Sequence, residues 1–210
     1  MSLPTVLKLE GPVIVFGGGR IGHRKVEYIS NFTKDITVVA KDSLPMPDHV
    51  KLSITELKPQ DIPGSIPANA SLVIGALSDT EMNRAIGDFC RDRRILVNVV
   101  DDPESSTILF PALSHKGKLS VSVSTSGECP FLARKIREEV DTWIPEKARW
   151  LEVLGPVREK LIGSEDKNRV LSMIYGDPDV AGRVRENDLE GAQAKAWEVY
   201  NVCCKSESDP

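Results

Sequence analysis

Two adjacent carboxylates, Asp101 and Asp102, close the run Asn98-Val99-Val100-Asp101-Asp102-Pro103, directly after a short apolar stretch. A carboxylate there can take a proton as a general base, or it can cap a turn ahead of the proline. The local sequence is compatible with both. A second polar concentration, Ser122-Val123-Ser124-Thr125-Ser126-Gly127-Glu128-Cys129-Pro130, precedes a helical pattern. Its hydroxyls and the helix start suit a ligand bearing carboxylates or phosphate; a capped helix with Pro in its first turn is the plain structural alternative. Arg134, Lys135 and Arg137 follow on that helix, and Arg84, Arg91, Arg93 and Arg94 fall on an earlier one. Such cations either steer an anionic ligand or solvate a helix face. Cys129 sits at a helix start, where a thiol can become more acidic, with no base beside it in sequence.

The third chemistry-bearing stretch is Gly17-Gly18-Gly19-Arg20-Ile21-Gly22, entered from the apolar run Pro12–Phe16 and followed by a helical pattern to about Ser30. A Gly-x-Gly-x-x-Gly turn between strand and helix is the phosphate cradle of dinucleotide folds. Gly17 permits the tight turn, Gly19 lets backbone approach a pyrophosphate, and Gly22 lets helix pack on strand. The helix N-terminus adds free N–H groups and a partial positive charge. His23, just after the turn, reads as a helix-surface residue. An acidic residue often ends the second strand, about twenty positions on, to hold the adenosine ribose. Here Val39-Ala40 is the expected strand end, with Lys41-Asp42 beyond it. Asp42 for the ribose and Lys41 for a 2′-phosphate both remain open, and NAD is the expected cofactor.

These groups need a scaffold. Apolar runs Val13–Phe16, Ile36–Ala40, Leu72–Ala76 and Ile95–Val99, with a weaker alternating Val50–Ile54, read as five strands. Helices are expected from Arg20 and from a cap at Ser78 or Asp79 to about Arg93, and a loop across Pro59, Pro63 and Pro67. Near-continuous apolar strands alternating with helices imply an α/β fold with a Rossmann-type parallel sheet. After Pro103 the pattern changes. Thr107–Ala112 and Lys118–Val123 read as a β-hairpin turning through His115-Lys116-Gly117, then a helix from Pro130 to Trp143, then helices from Pro145 onward. The expected division is 1–103, a dinucleotide-binding domain; 104–145, a hairpin and site region; and 146–210, a small helical domain, with 206–210 frayed.

Composition narrows the classes. The 210 residues carry a net charge of −4, with 40% hydrophobic and 28% charged side chains, as in an ordinary soluble protein. The first 150 residues hold 19 basic and 19 acidic groups and the last sixty hold 8 and 12. No basic surplus favours nucleic acid. No apolar run approaches the ~20 residues of a membrane span, and Met1–Pro4 lacks a signal-peptide pattern, so a cytoplasmic protein is expected. Cys90, Cys129, Cys203 and Cys204 form no Cys-x-x-Cys pair, which argues against a zinc site or disulfide framework.

Taken together, these pieces resemble the precorrin-2 dehydrogenases of sirohaem synthesis: the stand-alone enzymes, the bifunctional dehydrogenase/ferrochelatases, and the N-terminal module of sirohaem synthase. The resemblance rests on residues 15–25, Ala76-Leu-Ser-Asp-Thr-Glu-Met-Asn83, Asn98–Pro103, and the 122–134 loop and helix, and it covers about residues 3–145. It implies NAD-dependent oxidation of precorrin-2 to sirohydrochlorin, a homodimer built through an exchanged β-element, and a helical C-terminal domain. By position, Arg20 and Ile21 would touch the dinucleotide beside Gly17, Gly18, Gly19 and Gly22. Lys41 and Asp42 would lie by its adenosine half, with Ala76, Leu77 and Asn98 also at the cofactor. Asp101 would be the functional carboxylate, and Ser124, Thr125, Ser126 and Arg134 would meet the substrate. Thr125 stands where relatives often carry serine, so no special role of that serine transfers. Relatives differ over inserting Fe²⁺ into sirohydrochlorin. If this chain does so, Asp101 is the candidate metal-side residue and His115 a possible helper, with the metal otherwise unknown. No methyltransferase module is expected within the 210 residues. No Tyr-x-x-x-Lys pair follows Tyr28, Tyr175 or Tyr200, which removes the short-chain dehydrogenase chemistry. A non-catalytic NAD-sensing module is the alternative, and it would need neither Asp101 nor the hydroxyl-rich loop.

Overall fold

The computed structural model describes residues 6–205; the Met1–Pro4 reading and the expected fraying of 206–210 lie outside them. The chain forms two compact units meeting in sequence at Phe110/Pro111.

The first unit is a five-stranded, wholly parallel sheet in the order β3-β2-β1-β4-β5. Its strands are β1 (Val13–Gly18), β2 (Ile36–Ser43), β3 (Lys51–Ile54), β4 (Leu72–Gly75) and β5 (Val97–Val99). The helices are α1 (Arg20–Ile29), the single turn α2 (Ile62–Ser65) and α3 (Thr80–Asp92). Alternation along β1 explains why the sheet is covered on both faces. Ile14 and Phe16 pack with Ile62, Ile86 and Cys90 on the α2/α3 side. Val13 and Val15 pack with Val26 and Ile29 of α1 on the other. Burial pushes the Cys90 thiol up to about 12, so this cysteine is an inert core residue. Of the two expected α3 caps, Ser78 and Asp79, the structure uses Asp79: its Oδ1 accepts from the backbone N–H of Glu81 and Met82, both at 3.0 Å.

Several elements differ from the sequence expectation, among them a 3-10 turn (Pro59–Asp61) and the turn α2 within the expected proline-rich loop. β2 runs on to Ser43, because a bulge in the β1 pairing brings Gly18 opposite Ser43 and Leu44 N–H reaches Gly18 O at 3.0 Å. Residues 107–110, most of the expected first hairpin arm Thr107–Ala112, are not part of the hairpin, and their start together with Ser105 and Ser106 follows β5. Thr107 Oγ1 and Ser106 Oγ accept from the N–H of Val97 and Val99, each at 2.8 Å. Side-chain hydroxyls there take ladder positions that backbone would fill in a regular strand. The hairpin itself is β6 (Ala112–Lys116) and β7 (Leu119–Val123), turning through Gly117-Lys118 rather than through His115.

In the second unit the hairpin packs on α4 (Pro130–Lys160). α5 (Lys167–Gly176), α6 (Pro178–Glu186) and α7 (Leu189–Lys205) complete it. The expected boundary at 145/146 falls inside α4, which carries both Pro145 and Pro156. An interior proline removes a hydrogen bond and clashes with the preceding turn, costing about 3 kcal/mol. α4 offsets this by burying Val140, Ile144, Ala148, Trp150, Val153 and Val157 along its length. The second half joins a helical core with Val170, Ile174, Val180, Val184, Ala192 and Ala196. Among the described residues no helix is long and apolar enough to cross a membrane.

Phe16 is fully buried at the sheet centre. Phe16→Ala is expected to cost about 3–5 kcal/mol, read as a lower urea midpoint of the first unit's far-UV transition.

Candidate functional site

The glycine turn sits where it can be useful because three strand ends crowd it. A Cβ on Gly22 would strike the carbonyl of Gly17, one on Gly17 would strike the carbonyl of Ala76 after β4, and one on Gly18 would strike Asp42 and Ser43 of β2. Gly17 also holds φ +116, a left-handed conformation open to glycine. Gly19 is different: a Cβ there meets nothing within 4 Å. Its absence leaves backbone bare toward open space, which is what an approaching phosphate requires. Gly19 is also the N-cap of α1, and no side chain caps that helix. The first N–H groups of α1 are therefore left for a ligand.

A recess of about 380 Å³ opens at this point, lined by Gly18, Gly19, Arg20, Asp42, Ser43 and Leu44. The β2 extension puts Asp42 inside the strand beside the glycine turn, so the acidic residue that ribose recognition calls for is present at the strand end. A neighbouring recess of about 170 Å³ includes Lys41, Glu56, Leu77 and Asp79. Asp42 and Lys41 thus line different recesses, as successive strand residues do. Both recesses lie at the carboxyl ends of β1, β2 and β4, where the strand order reverses between β1 and β4. Parallel α/β sheets bind their ligands at this edge. The residues present fit a dinucleotide: a bare glycine under an uncapped helix start, with a carboxylate at the end of β2.

Two positions missed by sequence reasoning support this edge. Asn83, 5% exposed on α3, accepts from Leu77 N–H at 3.0 Å and donates to Leu77 O at 2.9 Å. It fixes the loop after β4 as a second backbone strand would. It closes the 76–83 stretch that carries the family resemblance, but had no role of its own there. Lys25 of α1 is half-buried, its Nζ 4.2 Å from the Phe110 ring centroid. Burial, then Arg24, push its ammonium pKa down, while the Asp101 carboxylate pulls it back up. Lys25 therefore places a cation in the field of Asp101.

The two aspartates after β5 have separate duties. Asp102 Oδ2 accepts from Ser105 Oγ at 2.7 Å and Oδ1 from Ser105 N–H at 3.1 Å, with Arg84 Nε at 3.9 Å. It is the turn cap. Asp101 is exposed and holds φ +60, a conformation that Asp and Asn tolerate better than other side chains. Asn98, buried on β5, donates to Ile108 O at 3.0 Å, and its Oδ1 finds no protein partner.

The remaining expected residues belong to the second unit. Thr125 Oγ1 accepts from Cys129 N–H at 3.1 Å and Ser124 Oγ from Ser126 N–H at 3.1 Å. The loop is thus folded on itself ahead of α4, with Ser126 and Gly127 both at positive φ. Arg134 lies 3.8 Å from Glu138 and stacks over Phe131 at 5.5 Å. Lys135 pairs with Glu138 at 2.8 Å, and Arg137 pairs with Asp141. These three α4 cations therefore face carboxylates of their own helix. Of the other expected positions, Ile21 is exposed and His115 Nδ1 lies 2.8 Å from Ser120 Oγ across the hairpin. Among the described residues there is no group of three or more His, Cys, Asp or Glu able to hold a metal ion.

Fold and turn together define a nucleotide-cofactor-binding protein of the parallel α/β class. The match to a family model described as putative NAD(P)-binding spans residues 6–112, and the chain belongs to that family. It is 32% identical to a siroheme synthase of Ectopseudomonas mendocina over 95% of this chain and 47% of that protein. A siroheme synthase of Methylobacillus flagellatus is 34% identical over 93% of this chain and 42% of its own length. The chain thus spans about half the length of these curated relatives. Its fold is that of a solved structure described as SirC, precorrin-2 dehydrogenase, with a TM-score of 0.65 and 22% identity over 90% of this chain and 99% of that one.

Hydrogen bonds from the Ser105 hydroxyl and N–H hold the Asp102 carboxyl below its ordinary pKa. A depressed folded-state pKa stabilises the fold above the unfolded value near ~3.9 and ceases to do so as pH falls through the folded value. Asp102→Asn is expected to lower the neutral-pH melting temperature and to flatten the acid limb of the wild-type stability profile below about pH 4. Thermal melts across pH 2–7 (roughly the window set by these pKa values) check this.

Proposed function

We propose that the chain oxidises precorrin-2 to sirohydrochlorin in sirohaem synthesis, with NAD⁺ as hydride acceptor. Its likeness to siroheme synthases and to a precorrin-2 dehydrogenase fold supports this reading. The observation that carries it is the division between two adjacent aspartates. Asp102 is spent on Ser105, while Asp101 stands exposed at the carboxyl end of β5, at the sheet edge that carries the dinucleotide cradle.

The oxidation removes two electrons and two protons from the reduced macrocycle. Bound NAD⁺ supplies the acceptor for a hydride, that is, both electrons and one proton. The second proton goes to the Asp101 carboxylate, which acts as general base. Gly17, Gly18, Gly19, Arg20, Ile21 and Gly22 hold the pyrophosphate region. Lys41 and Asp42 lie by the adenosine half, and Leu77, Ala76 and Asn98 form the remaining wall. Ser124, Thr125, Ser126 and Arg134 are assigned to the carboxylates of the tetrapyrrole. The chain works as a cytoplasmic homodimer joined through the β6–β7 hairpin, without nucleic-acid or membrane partners.

The test is anaerobic incubation with precorrin-2 and NAD⁺, following NADH and sirohydrochlorin absorbance together, then adding Fe²⁺. Coupled appearance of both products is expected, and metal insertion above an enzyme-free blank would add ferrochelatase activity. NAD⁺ binding without oxidation would instead make the chain a sensor. Asp101→Asn keeps the left-handed turn and is expected to retain NAD⁺ binding while losing about 10²–10⁴-fold in turnover, the usual range for a general base. Undiminished turnover removes Asp101 from the mechanism. Light scattering at micromolar concentration is expected to return twice the chain mass; a monomer mass refutes the dimer.

A further inference from the structure

We propose that Glu56 is a specificity-determining residue that selects NAD over NADP by occupying Lys41. The inference rests on the dinucleotide reading of the site and not on the identity of the oxidised substrate.

A 2′-phosphate on the adenosine ribose needs a cation near the end of β2, where the ribose is read. Lys41 is the basic residue at that strand end, and it shares the smaller recess with Glu56, Leu77 and Asp79. Its Nζ donates to Glu56 Oε1 at 3.0 Å. The pairing is built into the sheet. β2 and β3 run in register through Ala40↔Ile54, and Thr55 N–H continues the ladder to Ala40 O at 2.8 Å. That register sets Glu56, just past the end of β3, beside Lys41 of β2. The pair raises the Lys41 pKa and lowers that of Glu56 through the same hydrogen bond, so both stay charged around neutral pH. Both side chains are solvent-exposed, at 71% and 69%. An exposed pair contributes little to stability, which leaves its position in the recess as its consequence.

For a 2′-phosphate, Glu56 acts twice: it holds the needed ammonium, and it sets a carboxylate where the phosphate would come. Asp42 on one side and Asp79 on the other add negative charge. A ribose 2′-hydroxyl meets no such conflict, since it can donate to a carboxylate. Arg20 is the competing cation, lining the larger recess with Asp42. If Arg20 accommodated the 2′-phosphate, Glu56 would be irrelevant to the choice.

Calorimetric titration of the full chain with NAD⁺ and NADP⁺ tests this without any turnover. The wild type is expected to bind NAD⁺ more tightly. Glu56→Gln should reduce the ratio of the NADP⁺ to the NAD⁺ dissociation constant about tenfold, the scale of one surface charge pair near 4 Å. Glu56→Lys should reduce it further, and Lys41→Gln added to Glu56→Gln should restore the wild-type ratio. Circular dichroism of each variant checks that the fold is kept. An unchanged ratio in both Glu56 variants, or equal affinities in the wild type, overturns the proposal. Failure of every form to bind either dinucleotide overturns it together with the dinucleotide reading. Failure to oxidise precorrin-2 while the ratio shifts as described overturns only the substrate assignment.

Discussion

Backbone touches backbone at the turn after β1, and the site exists because it does. Gly22 lies against the Gly17 carbonyl, Gly17 against the Ala76 carbonyl, and Gly18 against Asp42 and Ser43. Any side chain at these three places would push α1, β2 or the loop after β4 outward by a carbon's width. Close packing draws the carboxyl ends of β1, β2 and β4 together. It also aims the start of α1 at the gap between them, and leaves Gly19 alone facing open space. The long apolar strands serve this contact by fixing the ends from both sheet faces, through Phe16 on one side and Val15 on the other.

Around that contact, polar side chains do work that regular secondary structure does elsewhere. Asn83 clamps Leu77 through both halves of its amide. Ser106 and Thr107 hydrogen-bond to β5 through their hydroxyls, and Asp102 closes the turn through Ser105. Each bond fixes a loop at the ligand edge without adding a strand that would cover it. Asp101 remains outside this network, with Lys25 as its electrostatic neighbour.

Much of this was legible in the sequence where local rules and packing agree. The apolar runs located β1 and β4, the glycine spacing located the turn, and the α3 cap was readable to within Ser78 or Asp79. The end of β2 was not, because Lys41-Asp42-Ser43 is poor strand sequence and is held extended by a bulged pairing with Gly18. The 107–112 segment has strand composition, yet its first part laps β5 through hydroxyls, an arrangement that alternation cannot reveal. Pro145 read as a stop because the rule is local, whereas the compensation comes from apolar residues of α4 on both sides of it. Local sequence left Asp101 and Asp102 alike, and the family resemblance pointed to Asp101. In the structure the position of Ser105 separates them.

The left-handed backbone at Asp101 has a consequence for how this protein can change over time. Few residues suit that conformation, and the most tolerant are Asp, Asn and Gly. Aspartate codons become asparagine or glycine codons by a single transition. The substitutions that spare the turn are thus the ones nearest at hand, and each deletes the carboxylate. On the general-base role proposed for Asp101, a lineage can drift from catalyst to silent binder in one step with fold and cradle intact, so a well-preserved glycine turn in a relative says little about whether that relative still turns over substrate.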